Sequence, residues 1–119
     1  MKILIADDDR LVRTMLADLL AQLGHEVIAA ENGAEAVALW KREGSELLVL
    51  DLLMPRLSGL DALRAMRQAG CSSPAILLTA ISDPSFREME GADEIQVRLA
   101  KPVTRRSLEK ALARAMGAR

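Results

Sequence analysis

The chain has 119 residues, half of them apolar and 28% charged, with a formal net charge of −1. That is enough for one domain with a sound core, while the near-zero charge and the presence of only Trp40 and Phe86 as aromatics argue against direct nucleic-acid binding or base stacking. The lone cysteine, Cys71, excludes an internal disulfide and a cysteine-based metal cluster and suits a reducing cytoplasm, Met1 leads into a charged residue and a strand-like run rather than a signal peptide, and no apolar run is long enough to span a membrane.

In chain order, residues 2–6 read as a short parallel strand buried on both faces, apolar without alternation. Asp7-Asp8-Asp9 ends it. From Leu11 to Leu23, residues Leu11, Met15, Leu16, Leu19, Leu20 and Leu23 recur at helical spacing, and Gly24 terminates the helix. Residues 25–30 form a second strand, Asn32-Gly33 a turn, and residues 34–43 a helix with Ala36, Val37 and Trp40 on one face. The third strand, residues 46–51, carries Asp51 to its end, and residues 55–59 form a loop. A helix over residues 60–69 stops at Gly70. Residues 75–79 form a fourth strand ending in Thr79. A short, weak helix starts at Asp83-Pro84, with Phe86 and Met89, and is interrupted at Gly91. Residues 96–100 form the fifth strand, and Thr104 is a good N-cap for a last helix over residues 105–116. Strands alternate with helices through short connections, which predicts an α/β fold: a five-stranded, doubly wound parallel sheet with five helices. One domain over residues 1–119 is expected, with no second domain.

Ligands of such a sheet bind beyond the carboxyl ends of its strands. Those ends hold Asp7 and Asp8, Asp51, Thr79 and Lys101. Each alone has a plainer explanation: an acidic triplet caps a helix, a threonine suits a strand, and a lysine before proline is solvated. Their convergence on one rim is the informative point. Grouped carboxylates repel and resist ionisation, and a divalent cation relieves this. Oxygen ligands without histidine or cysteine select a Mg2+-like ion, which favours one or two carboxylates plus a phosphate oxygen. A phosphoryl-transfer centre follows, with one carboxylate as nucleophile, Lys101 offsetting charge on the transferring group, and Thr79 hydrogen-bonding a phosphoryl oxygen.

Four motifs, in this order and spacing, resemble a response-regulator receiver domain over the whole chain: Ile5-Ala6-Asp7-Asp8-Asp9, Leu50-Asp51-Leu52-Leu53-Met54-Pro55 followed by Gly59, Leu78-Thr79-Ala80, and Lys101-Pro102. The resemblance implies a flavodoxin-like fold with strand order 2-1-3-4-5. It implies Asp51 as phosphoacceptor, with Asp7, Asp8, Asp51 and the backbone carbonyl of Leu53 holding Mg2+. Thr79 and Lys101 would contact the phosphoryl group, and Lys101–Pro102 would be a cis peptide. It further implies phosphotransfer from a histidine kinase or phosphotransfer protein, then slow self-hydrolysis, rather than an enzyme with a separate substrate. A downstream target or a removed output domain would read the state, in the cytoplasm, from a monomer or weak homodimer. Kinase docking on Leu57, Leu60 and the first helix (Leu11, Val12, Met15) is what the family suggests.

The chain departs from the family at Arg98, where an aromatic usually stands three positions before the lysine. The arginine is expected as a surface or partner-contacting group whose position follows Thr79, pairing with acids such as Glu88 or Glu90. The fourth helix is expected to be short or poorly ordered, with a longer loop into strand five. Pro102, Arg105 and Arg106, with Lys110 and Arg114, mark a partner surface whose plain alternative is a solvated basic face. His25 and Cys71 carry no expected role, and Trp40 packs. Against the phosphoacceptor switch stands a receiver-like interaction module that no longer uses phosphorylation. A nucleotide-binding enzyme is a distant third, since no glycine-rich phosphate loop follows strand one.

Overall fold

The computed structural model describes residues 1–80 and 96–117. Its elements are β1 (Lys2–Ala6), α1 (Arg10–Gln22), β2 (Glu26–Ala30), α2 (Gly33–Glu43), β3 (Leu47–Asp51), α3 (Gly59–Gln68), β4 (Ala75–Ala80), β5 (Gln96–Lys101) and α4 (Arg105–Gly117). The five strands form one sheet in the order β2-β1-β3-β4-β5, every pair parallel. Among the described residues there are four helices where five were expected. The weak helix expected from Asp83, with Phe86, Glu88, Met89 and Glu90, lies outside the described residues, as does Gly91.

The apolar runs of the strands are explained by two cores. Ile3, Ile5, Leu47, Val49, Ile76, Leu78, Val97 and Leu99 pack with Leu16 and Leu20 of α1 and Leu108, Ala111 and Leu112 of α4. The alternate residues Leu4, Ala6, Leu48, Leu50, Ala75 and Leu77 pack with Ala36 of α2 and Ala62, Leu63 and Met66 of α3. With a side-chain period of two and a helical layer on each face, the inner strands are apolar between their ends, and their polar residues, Lys2, Asp51 and Thr79, fall at or next to those ends. Trp40 packs against the second of these cores.

Helix starts follow local chemistry. Asp9 caps α1, its carboxylate accepting from the Leu11 and Val12 amides at 2.9 and 3.4 Å. Thr104 and Ser107 cap α4 reciprocally: Ser107 N–H donates to Thr104 Oγ1 at 3.1 Å, and Thr104 N–H donates to Ser107 Oγ at 3.0 Å. Asn32-Gly33, expected as a turn, is instead the start of α2. Asn32 is the cap, accepting from the Glu35 amide at 2.8 Å, and Gly33 is the first helical residue.

Candidate functional site

The alternation that builds the cores also places the polar rim. Asp7, Asp51 and Lys101 fall in the same phase as Ile5, Val49 and Leu99, which pack toward α1 and α4. Thr79 falls in the other phase, with Leu77 and Arg98. Three strands therefore deliver two carboxylates and an ammonium to one place. Lys101 Nζ lies 3.2 Å from Asp7 Oδ2 and 3.3 Å from Asp51 Oδ1. Asp8 completes the group from the β1–α1 turn: carboxylate oxygens of Asp7, Asp8 and Asp51 all lie within 4.8 Å of one another.

Asp7 is fully buried and Asp51 is 5% exposed, while Asp8 faces solvent. Burial, then the neighbouring Asp7 charge, pushes the Asp51 carboxyl up to about 6, against the opposing pull of Lys101. Burial works against the Lys101 ammonium, but Asp51 and Asp7 together outweigh it and hold that group above its ordinary range.

One ammonium thus serves two buried carboxylates with a third beside them. Asp7 Oδ1 accepts from the Asp9 amide at 2.8 Å, whereas Oδ2 is buried without a hydrogen bond among the described residues, opposed only at ion-pair distance by Lys101. An orphaned, buried carboxylate oxygen in an all-oxygen donor set fits a hard divalent cation such as Mg2+ and not a thiolate- or imidazole-loving metal.

The loop after β3 is held tightly against the site. Leu57 N–H donates to Pro55 O at 2.8 Å across Arg56, whose φ is 69°. This is a γ-turn in the strained, positive-φ form. Leu57 rests on the first residue of α2, where a side chain on Gly33 would run into the Leu57 carbonyl. Ser58 caps α3, accepting from the Asp61 amide at 3.1 Å. Gly59 N–H donates to Leu52 O at 3.0 Å, and a Cβ on Gly59 would collide with the Asp51 backbone carbonyl. Glycine is therefore required by close approach to the residue at the centre of the site. Gly59→Ala is expected to cost about 1–3 kcal/mol in urea denaturation by overpacking, with weakened Mg2+ binding because Asp51 must shift. Unchanged stability and affinity would contradict this contact.

The other residues singled out by sequence lie around the site rather than in it. Thr79 is buried, its hydroxyl donating to Ala80 O at 3.1 Å. Leu53, two residues past Asp51, is 65% exposed. Lys101–Pro102 is cis. Pro102, Arg105 and Arg106 are exposed at the start of α4, where Arg105 pairs with Glu109 at 3.6 Å. Arg98 is exposed on β5, and its expected partners Glu88 and Glu90 lie outside the described residues. Cys71 is buried and free, and the Arg67 guanidinium donates to its carbonyl at 3.2 Å.

Sequence reasoning raised a cap for the acidic triplet without choosing Asp9, and it passed over Arg13. Asp9 is a cap and points its carboxylate into α1, so the acidic triplet divides by role: Asp7 and Asp8 in the cluster, Asp9 in the helix. Arg13 sends Nη1 back to the Asp7 carbonyl at 2.7 Å. The signal was available, since side chains in a first helical turn lean toward the N-terminus and so toward the turn before it.

The chain matches the family described as response regulator receiver domain over residues 3–113. It is 41% identical over 117 residues to the response regulator MprA of Mycobacterium leprae, covering 96% of this chain and 49% of that protein. It is 40% identical over 112 residues to the probable transcriptional regulator ycf27 of Porphyridium aerugineum, covering 91% of this chain and 45% of that one. The chain thus spans about half the length of the curated relatives it matches. Among solved structures, chemotaxis protein CheY4 of Vibrio cholerae superimposes with a TM-score of 0.85 at 28% identity, covering 96% of this chain and 97% of that one. Among the described residues no helix is long and apolar enough to cross a membrane.

Proposed function

This chain belongs to the response regulator receiver domain family, and from that membership we propose that it is a phosphoacceptor switch of a two-component system, taking a phosphoryl group onto Asp51 in the presence of Mg2+. The observation that carries the reading is the meeting of Asp7, Asp8 and Asp51 with Lys101 at the sheet rim. The protein is not an enzyme acting on a separate substrate but the acceptor in its own transfer reaction.

An Asp51 carboxylate oxygen attacks the phosphorus of a phosphohistidine on a kinase or phosphotransfer protein. The P–N bond breaks, the imidazole leaves with the electron pair, and an acyl phosphate forms. Asp7, Asp8, Asp51 and the Leu53 carbonyl would hold Mg2+, which when bound neutralises charge on the phosphoryl oxygens. The Lys101 ammonium stands against the same charge. Thr79 exchanges its bond to Ala80 O for one to a phosphoryl oxygen, which biases a pre-existing equilibrium of the surrounding backbone. Water later attacks the acyl phosphate and restores Asp51. Leu11 of α1, 79% exposed, lies on the surface proposed for kinase docking. The reader of the state is a target protein or an output domain, the latter supported by the half-length match to the relatives. The cytoplasm is the setting proposed for these partners.

Incubation with Mg2+ and acetyl phosphate is expected to add one phosphoryl group by intact mass, and Asp51→Asn to add none. No adduct from acetyl phosphate or from a phosphorylated kinase would favour the second reading, an interaction module independent of phosphorylation. The exposed Arg98 in place of an aromatic is the observation on that side.

A further inference from the structure

We infer that Arg13 is a positioning residue for the acidic site, holding Asp7 so that its Oδ2 faces the metal position; this rests on the proposed Mg2+ site and extends it to a residue of α1. The inference comes from a closed circuit of hydrogen bonds. Asp9 N–H donates to Asp7 Oδ1 at 2.8 Å. Arg13 N–H donates to Asp9 O at 2.9 Å. The Arg13 guanidinium then returns to the Asp7 carbonyl through Nη1 at 2.7 Å, a separation of six residues along the chain. Asp9 itself is tied into α1 by accepting from the Leu11 amide at 2.9 Å.

The circuit has a chemical consequence. It fixes Asp7 at both its backbone carbonyl and one carboxylate oxygen, which leaves Oδ2 as the oxygen of that side chain with no hydrogen bond among the described residues, met only by the Lys101 ammonium at 3.2 Å. A carboxylate gripped at one oxygen presents the other in one direction, which is how outer partners orient metal ligands. The guanidinium is suited to the task because it stays charged and donates in a fixed plane. Arg13 is half-buried, so its charge-assisted bond is partly shielded from water. Its side chain is bonded to the Asp7 carbonyl, so it acts through Asp7.

The test compares wild type with Arg13→Gln and with Arg10→Gln, which removes the same charge from an exposed position on the first turn of α1. Calorimetric titration with MgCl2 is expected to give an Arg13→Gln dissociation constant raised roughly ten-fold, as for other outer-sphere partners of metal ligands. Arg10→Gln is expected to stay within about two-fold, because an exposed charge is largely screened. In Mg2+-free buffer, hydrogen exchange of the Asp9 amide is expected to quicken about ten-fold in Arg13→Gln, while amides of β3 keep their rates, which separates a local loosening from general destabilisation. If Arg13→Gln does not fold, Arg13→Lys takes its place, and a raised dissociation constant is again expected. An affinity equal to wild type in the folded variant, or an equal loss in Arg10→Gln, overturns the inference alone. A wild-type protein that takes up no Mg2+ overturns it together with the proposed site.

Discussion

Asp51→Asn is expected to make the Mg2+-free protein more stable at about pH 8, by up to about 3 kcal/mol, while abolishing phosphoryl uptake. The Asp51 carboxyl sits at about 6 in the folded chain against an ordinary 3.8. The folded state therefore binds this proton more tightly than the unfolded chain does. Stability falls as pH rises through that interval, because the unfolded chain releases the proton first, and the penalty is complete above the folded value. At about 1.4 kcal/mol per unit the interval gives the upper figure above. Asparagine has no proton to lose, so the gain of the variant over wild type should vanish below about pH 3 and level off above about pH 7. If the proposed Mg2+ site fills, added Mg2+ should narrow it, since a cation that binds only the folded state would stabilise wild type. Urea denaturation of both proteins across this pH range, with and without MgCl2, is the measurement. A variant no more stable than wild type at high pH would mean that the buried carboxylate is already compensated.

Lys101→Met should act in the opposite direction. It keeps the apolar stem and removes the ammonium that lies within 3.3 Å of both buried carboxylates. Removing one partner of a buried pair costs about 3–5 kcal/mol when both are fully desolvated. The Lys101 side chain is 29% exposed, so a loss of about 2–3 kcal/mol near pH 8 is the expectation. Because the folded protein holds the Lys101 proton more tightly than the ordinary 10.5, the stabilisation is present throughout the neutral range and is lost only as pH rises past that value. The loss in the variant should shrink as Asp51 takes up its proton toward about pH 5, and with added Mg2+. Combining Lys101→Met with Asp51→Asn should cost less than the two single effects predict by addition, since the ammonium then has one carboxylate fewer to serve. Wild-type stability in Lys101→Met at pH 8 would sink this account.

Both predictions concern residues that stand out in the sequence, but their interaction does not. Asp7, Asp51 and Lys101 are each visible as polar residues closing apolar runs, and strand phase alone puts them on one face once the sheet is parallel. That is why the architecture and most of the acidic site were legible: short apolar runs without alternation, separated by helical patterns, have few other solutions than a parallel sheet covered on both faces. That Asp7 and Asp8 belong to the acidic rim was legible, whereas which aspartate of the triplet caps α1 was not. All three are aspartate, and only the direction in which α1 leaves the sheet decides that Asp9 turns into the helix while Asp7 turns under it. Thr79 is similar. Its place at the end of β4 follows from the sequence, whereas its bond to Ala80 O depends on the local backbone.

The sequence by itself determined the alternation of strands and helices, the two-sided burial of the sheet and the collection of carboxylates, threonine and lysine at its carboxyl rim. Those depend on periodicity and strand ends, which are local. Tertiary structure decided how one ammonium is shared between two buried carboxylates and why Gly59 admits no side chain. It also decided that Arg13 closes back on Asp7. Each of these is a distance of a few ångströms between groups whose separation along the chain says nothing about their separation in space.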